Sequence, residues 1–291
     1  MSSIIAENEF GQVKQVPLTD QMNALEITHH TCTAKISLYG GHVLAWQPAN
    51  QKPVFWLSDD VIFEQGTPIR GGIPLCWPWF GPYQASSGEK AGNHGFARQR
   101  NWQFDEVIIA KDSVTVTLCL SGENEHPSWP YQYQLKQQLI FSDQFEQKLF
   151  ISNLSSQAFE YSAALHSYFA VSAPENITVP PLAEFPFDDK VTGKEQQFAA
   201  LENCLGEVDR IYYTNQQCLI EDKQWQRTLK VSSTNCQQWV LWNPGVEVAQ
   251  RMKDLHLGAE KEFVCLEAAN TDRQVVQANK TVMIGQKVTL T

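Results

Sequence analysis

The sequence predicts an all-β fold, a large antiparallel β-sandwich, on three observations. Apolar and polar residues alternate at a period of two along segment after segment. Clusters of Gly, Pro, Asn and Ser separate those segments. Helical periodicity is thin, and neither a βαβ alternation nor a GxGxxG turn is present, which disfavours a dinucleotide fold. Residues 113–120 alternate cleanly, with Val114, Val116, Leu118 and Leu120 on one face. Tyr133, Leu135, Leu139 and Phe141 repeat the pattern, followed by Leu149 with Ile151, Val282 with Ile284, and Val288 with Leu290. Trp239, Val240, Leu241 and Trp242 form an apolar run that Asn243-Pro244-Gly245 ends as a turn. Helix is expected only over residues 246–255, for two to three turns, and over 194–201, for one or two. No linker-like segment or repeat divides the chain, so residues 1–291 are expected to form one domain.

Composition narrows the function classes. The 291 residues include 32 acidic and 22 basic side chains, a formal net charge of −10, with a pI near 5.2. That balance, with no Lys/Arg-rich run, argues against nucleic acid, whose binding depends on phosphate neutralisation. No stretch reaches the roughly 18 to 20 apolar residues that cross a bilayer, and residues 1–15 lack the features of a signal peptide. Hydrophobic residues make up 43%, enough for a sizeable core, and only 19% are charged, which disfavours disorder. Seven scattered cysteines without a CxxC pair do not read as a disulfide framework. Those in apolar strands, such as Cys119 and Cys265, read as small buried hydrophobes in a cytoplasmic protein.

Three stretches carry chemistry that a plain core would not need. Residues 68–82, PIRGGIPLCWPWFGP, hold four prolines and three glycines, which exclude regular helix or strand. Glycine lets backbone approach a ligand, and Trp77 and Trp79 offer flat apolar faces to a sugar, unless the segment simply plugs one end of the sandwich. Arg70, between Ile69 and a Gly-Gly pair, is either an anion ligand or one half of an ion pair. Residues 93–98, NHGFAR, place Asn93, His94 and Arg98 around a glycine hinge. Arg70 and Arg98 together could hold a phosphate or carboxylate, each guanidinium being able to bind bidentately. A lone histidine such as His94 is more commonly a satisfied structural one. His166 and Glu267 each stand alone as titratable groups in apolar runs, and alternation puts Glu267 on the side of Phe263 and Cys265. Burial there would raise the carboxyl towards the range of a general base. Asp209 is loop-like and could accept hydrogen bonds from sugar hydroxyls or cap a turn. The seven histidines show no HxH or HExxH spacing, so no metal is expected.

Together these segments resemble the hexose-6-phosphate mutarotase (glucose-6-phosphate 1-epimerase) branch of the aldose 1-epimerase superfamily. The stretches GGHVLAWQP, PIRGGIPLCWPWFGP, NHGFAR, LHSYF, VDRIY, LWNPG and CLEAAN occur in that family's order across roughly residues 40–270. The resemblance implies a galactose-mutarotase-like β-sandwich, His166 and Glu267 as catalytic residues, and Arg70 and Arg98 around the substrate's 6-phosphate. It also implies Asp209, with Asn93 and His94, as sugar-binding residues. Asn93 stands where some relatives carry glutamine. The implied chemistry is acid–base opening and closure of the hemiacetal ring, without a metal or other cofactor, in a monomer acting on a small phosphosugar. Three other readings compete: a mutarotase of unphosphorylated aldoses with structural arginines, a non-catalytic carbohydrate-binding protein, and a glycoside hydrolase using Asp209 and Glu267.

Overall fold

The computed structural model describes residues 2–84, 90–127 and 129–291. Two sheets of eight strands each dominate it. The first runs in the order Ile177–Thr178, Cys218–Asp222, Arg227–Thr234, Thr281–Leu290, Phe145–Asn153, Tyr133–Phe141, Val114–Gly122 and Gln103–Ile109. The second runs Lys194–Gln197, Phe187–Asp189, Glu207–Tyr212, Gln238–Pro244, Phe263–Val276, Phe159–Leu165 and Leu75–Cys76, with Tyr168–Ala170 also paired to Phe263–Val276. Neighbours pair antiparallel, as in the registers Gln137 with Leu149 and Leu241 with Leu266. The first five strands, from Ser3–Asn8 to His42–Pro48, form a separate antiparallel meander. The expected all-β antiparallel sandwich is therefore what the chain folds into.

Period-two alternation decides which side chains fill the space between the large sheets. Tyr133, Leu135, Leu139 and Phe141 point inward and meet Phe145, Leu149 and Ile151 from the next strand. From the opposite sheet, Leu165, Leu241, Val264, Leu266 and Ala268 join the same core. Each such side chain contributes about 1.5–3 kcal/mol on burial, enough to fix the register wherever one face is inward. The alternate residues of Phe263–Val276 therefore face away from this core. Phe263 and Cys265 join a cluster with Trp56 and Tyr168, and Ala269 joins one with Cys76 and Val240. Glu267 lies on that second face.

One inward row is polar. Gln137, Gln147 and Gln286 are buried in the core and hydrogen-bond in series. Gln286 donates to Gln147 at 2.8 Å, Gln147 to Gln137 at 2.6 Å, and Gln137 to the Gly41 carbonyl at 2.6 Å. At the other end Gln286 exchanges hydrogen bonds with Ser167, at 2.8 and 3.0 Å, across the gap between the sheets.

The structure corrects three expectations. Residues 194–201 are not helical: Lys194–Gln197 is an edge strand on Phe187–Asp189. Its residues are almost all exposed, so no apolar face would hold a helix, whereas strand pairing satisfies the backbone. Over 246–255 only Gly245–Ala249 is helical. A helix that short gains little by itself, and the chain turns so that Ala249 and Leu255 reach the Trp56 and Phe263 cluster. Cys119 is half-buried on the solvent side of its strand, while the other six cysteines are buried; all seven are free thiols. Among the described residues, no helix is long and apolar enough to cross a membrane.

Candidate active site

The backbone register brings His166 to Glu267. Leu165 pairs with Ala268, and Tyr168 pairs with Cys265, so the two residues between them, His166 and Ser167, stand opposite Glu267 and Leu266. The strand breaks at this point. The Ser167 N–H turns back to the Leu165 carbonyl at 2.9 Å, and the His166 N–H donates to the Pro74 carbonyl at 3.1 Å. As a cross-strand pair, His166 Nε2 and Glu267 Oε1 lie 3.3 Å apart. They are 8% and 1% exposed. Tyr168, two residues on and so on the same face, stacks on the imidazole with ring centroids 5.0 Å apart and planes at 10°. Trp242, paired with Cys265, closes the edge of His166 at 6.1 Å. Asp209 is paired with Trp242 and completes the row Tyr168, Cys265, Trp242, Asp209 across the sheet.

The glycine-rich segments frame this floor. A Cβ on Gly72, at φ +61°, would lie 2.1 Å from the Val43 carbonyl oxygen, so the chain bearing Arg70 packs against the meander as only glycine allows. Gly95, at φ +68°, lies as closely over the Trp77 carbonyl, which accepts hydrogen bonds from Phe96 and Ala97. His94 itself has a left-handed backbone, φ +65°, unusual for a residue with a side chain. This holds its ring 5.0 Å from Phe80 and 5.9 Å from His166.

Arg70 donates through Nε to Asp254 at 3.0 Å and through NH1 to the Tyr168 hydroxyl at 2.7 Å. Arg98 donates to the Asn93 carbonyl at 3.0 Å. Its Nε is buried without a hydrogen-bond partner among the described residues, as are His166 Nδ1 and Glu267 Oε2.

Burial dominates the electrostatics. It pushes the Glu267 carboxyl well above the usual carboxylate range; the Asp209 charge adds to the rise and Arg98 opposes it. It holds His166 well below the usual imidazole range, and His94, Arg98 and Arg70 depress it further. His94 is lowered to about 3 by burial and then by the two arginines. Asp209 is raised to about 6, chiefly by burial. Burial alone would lower the Arg70 guanidinium, but Tyr168 and Asp254 more than reverse this. Arg98 is lowered by burial and by Arg70. An acid and a base in contact, in a dry site flanked by cations, can move a proton to and from a bound hydroxyl.

Of the residues the sequence singled out, His166, Glu267, Arg70, His94 and Arg98 converge. Asp209 joins them through its field on Glu267. Asn93 does so only through its carbonyl; the residue itself is exposed. The expected tryptophan platforms are elsewhere. Trp77 and Trp79 are buried in the core, Trp77 edge-on to Trp129 and Phe96, and the half-buried Trp242 is the indole beside His166. Sequence reasoning missed Tyr168, which the period-two rule could have found from His166. It also missed Asp254, 184 residues from Arg70, for which no local signal exists. Among the described residues, His166, Cys265 and Glu267 bring potential metal-ligand atoms within 4.8 Å of one another.

Comparison with known proteins identifies the family and the fold. The family model described as aldose 1-epimerase matches residues 23–287. An Escherichia coli K12 protein named "Putative glucose-6-phosphate 1-epimerase" is 32% identical over 274 residues, 92% of this chain and 90% of its own. A Salmonella typhimurium crystal structure titled as a "putative mutarotase (YeaD)" superposes with a TM-score of 0.86 at 29% identity, covering 99% of this chain and 96% of that one. A galactose mutarotase-like protein of Clostridium acetobutylicum shares the fold at 14% identity, with a TM-score of 0.76 over 98% of this chain and 99% of its own. The chain belongs to the aldose 1-epimerase family.

Proposed function

We propose that the protein interconverts the α and β anomers of a hexose 6-phosphate, with glucose 6-phosphate the preferred substrate. The observation that carries this reading is the set of buried polar atoms, without hydrogen-bond partners among the described residues, gathered in one site. Buried polar groups are almost always paired. His166 Nδ1, Glu267 Oε2 and Arg98 Nε belong, in ring opening, to an acid, a base and an anion-binding donor. The name carried by the E. coli relative supports the phosphosugar. A phosphorylated substrate and free cysteines both suit the cytoplasm, and the reading needs one chain and no cofactor.

In ring opening, Glu267 takes the proton of the C1 hydroxyl, the bond from C1 to the ring oxygen breaks, and His166 gives its proton to that oxygen. After a turn about C1–C2 the ring oxygen attacks the other face of the aldehyde. His166 then removes the proton from the ring oxygen, and Glu267 returns one to the C1 oxygen. The pair carries a single proton throughout, as carboxylate with imidazolium or as carboxylic acid with imidazole. Burial favours the uncharged arrangement, and Arg98 offsets part of the cost of the carboxylate. Each positioned proton transfer contributes about 10²- to 10⁴-fold. Arg98, with Arg70 behind it, meets the phosphate. Asp209, His94 and Asn93 line the sugar.

Two-dimensional exchange NMR on equilibrated glucose 6-phosphate tests this. The protein should speed exchange between the anomers, more than it does for glucose, and Glu267→Gln should lose the acceleration while folding normally. Unchanged exchange for both sugars in folded protein would leave a non-catalytic sugar-binding protein. One observation favours a second reading, a mutarotase of unphosphorylated sugars: two of Arg70's donor groups already hold Asp254 and Tyr168. Equal acceleration of glucose and glucose 6-phosphate would select it.

A further inference from the structure

We propose that the floor of the site is also an inhibitory binding site for a soft divalent cation, Zn²⁺ above all. Its ligands are the Cys265 thiolate, the Glu267 carboxylate and an imidazole nitrogen of His166. The inference rests on the proposed function only where activity is the readout. Cys265 and Glu267 alternate along one strand and so share a face, and His166 is the cross-strand neighbour of Glu267. The three potential ligand atoms lie within 4.8 Å of one another, with His166 Nε2 and Glu267 Oε1 already at 3.3 Å. Bonds of about 2.0–2.3 Å around a tetrahedral zinc set the ligand atoms roughly 3.3–3.7 Å apart. Movement of a side chain by about 1 Å therefore closes the site.

A second observation points the same way. Glu267 Oε2 and His166 Nδ1 are buried without hydrogen-bond partners among the described residues, so the site has polar capacity that the protein does not itself fill. Charge is also favourable, because a thiolate and a carboxylate neutralise the dication, and a neutral cluster suits a dry site. Two cations oppose it, Arg70 and Arg98. Arg70 is already paired with Asp254 at 3.0 Å, which leaves Arg98 as the main repulsion. The thiolate selects zinc over magnesium or calcium, which prefer all-oxygen sites. Three protein ligands leave the fourth position open. No sequence spacing betrays such a site, because its ligands come from residue 166 and from residues 265 and 267.

A bound ion would occupy both groups of the acid–base pair, so Zn²⁺ should stop anomer exchange and EDTA should restore it. The test uses the full chain with Zn²⁺ or Co²⁺ alone. Co²⁺ should give a thiolate-to-metal charge-transfer band and the visible absorption of a tetrahedral site, whether or not the protein is an epimerase. Cys265→Ala should lose the charge-transfer band and, relative to its own rate without metal, need roughly tenfold or more Zn²⁺ for inhibition. Cys76→Ala, which removes another buried thiol on the same face, should behave as wild type. Failure of Co²⁺ to produce the thiolate band in the folded wild type, or equal zinc sensitivity of Cys265→Ala, would overturn the inference. If Cys265→Ala fails to fold, Cys265→Ser answers the same question, since serine is a poor zinc ligand. Absence of epimerase activity alongside an intact cobalt spectrum would count against the proposed function alone.

Discussion

At the scale of single residues, the two arginines that look equivalent in the sequence differ in what they already hold. Arg70 is tied to Asp254 and to the Tyr168 hydroxyl, and Tyr168 stacks on His166. Arg98 is half-buried, and its Nε has no hydrogen-bond partner among the described residues. Arg98→Ala should therefore act mainly on binding. A lost charge-assisted hydrogen bond to phosphate is worth about 1.5–3 kcal/mol, so KM for glucose 6-phosphate should rise about 10- to 100-fold with kcat and the melting temperature little changed. Arg70→Ala should lower kcat and stability as well, because it leaves the largely buried Asp254 unpaired and frees the ring against His166. Steady-state kinetics on both sugars, with thermal melts, would check this. Equal rises in KM for glucose and its 6-phosphate would remove Arg98 from the phosphate. The residue types and the sharing of one site were legible in the sequence. The difference between the arginines was not, because Asp254 meets Arg70 across 184 residues.

At the scale of elements, the site depends on a strand interrupted at His166 and Ser167. Their side chains point to opposite faces. His166 meets Glu267 on one face, and Ser167 anchors the buried glutamine series on the other. The break is thus fastened from behind by Gln286, Gln147 and Gln137. Ser167→Ala should cost about 1–3 kcal/mol, since it takes from the buried Gln286 amide oxygen the hydroxyl that donates to it. If the anchor positions His166, kcat should fall with KM for glucose 6-phosphate unchanged, and Ser167→Thr, which restores a hydroxyl, should recover part of both. A lower melting temperature with unaltered kcat would make the series purely structural. The long strands were readable because Val114 to Leu120 carries an unbroken apolar inward row and Tyr133 to Phe141 one broken only at Gln137. Lys194–Gln197 was not: its partner Phe187–Asp189 lies across a turn, and a mostly exposed segment carries no pattern to distinguish strand from helix. The glutamine series was invisible for a related reason. Gln137 and Gln147 occupy inward positions that the alternation assigns to apolar residues, and only the fold shows that each satisfies the next.

At the scale of the whole molecule, burial of histidines ties stability to pH. His42 has no exposed surface and is lowered to about 3 by burial, although its hydrogen bond to the Gly71 carbonyl, at 2.7 Å, works against the shift. The unfolded chain binds a proton at this residue below about pH 6.5, and the folded chain does not until about pH 3. Between those values the unfolded state holds the extra proton, so stability falls as pH falls, by about 1.4 kcal/mol per pH unit for this histidine. His166 adds in the same direction, and His94, half-exposed, adds a screened share. Asp209 acts oppositely. Its carboxyl, raised to about 6, keeps a proton in the folded state that the unfolded chain has released, so it gives some stability back as pH falls below about 6. Glu267, also raised, has the same sign. Chemical denaturation from pH 7 to pH 4 should therefore show falling stability. His42→Gln, which keeps a donor for Gly71 but cannot titrate, should flatten the slope by about one proton. The same change should extend activity to lower pH only as far as it extends the folded state, since folded His42 stays unprotonated over this range. An unchanged slope in His42→Gln would mean that His42 is protonated equally in both states, and the acid lability would then have to come from His166, His94 and the paired carboxylates.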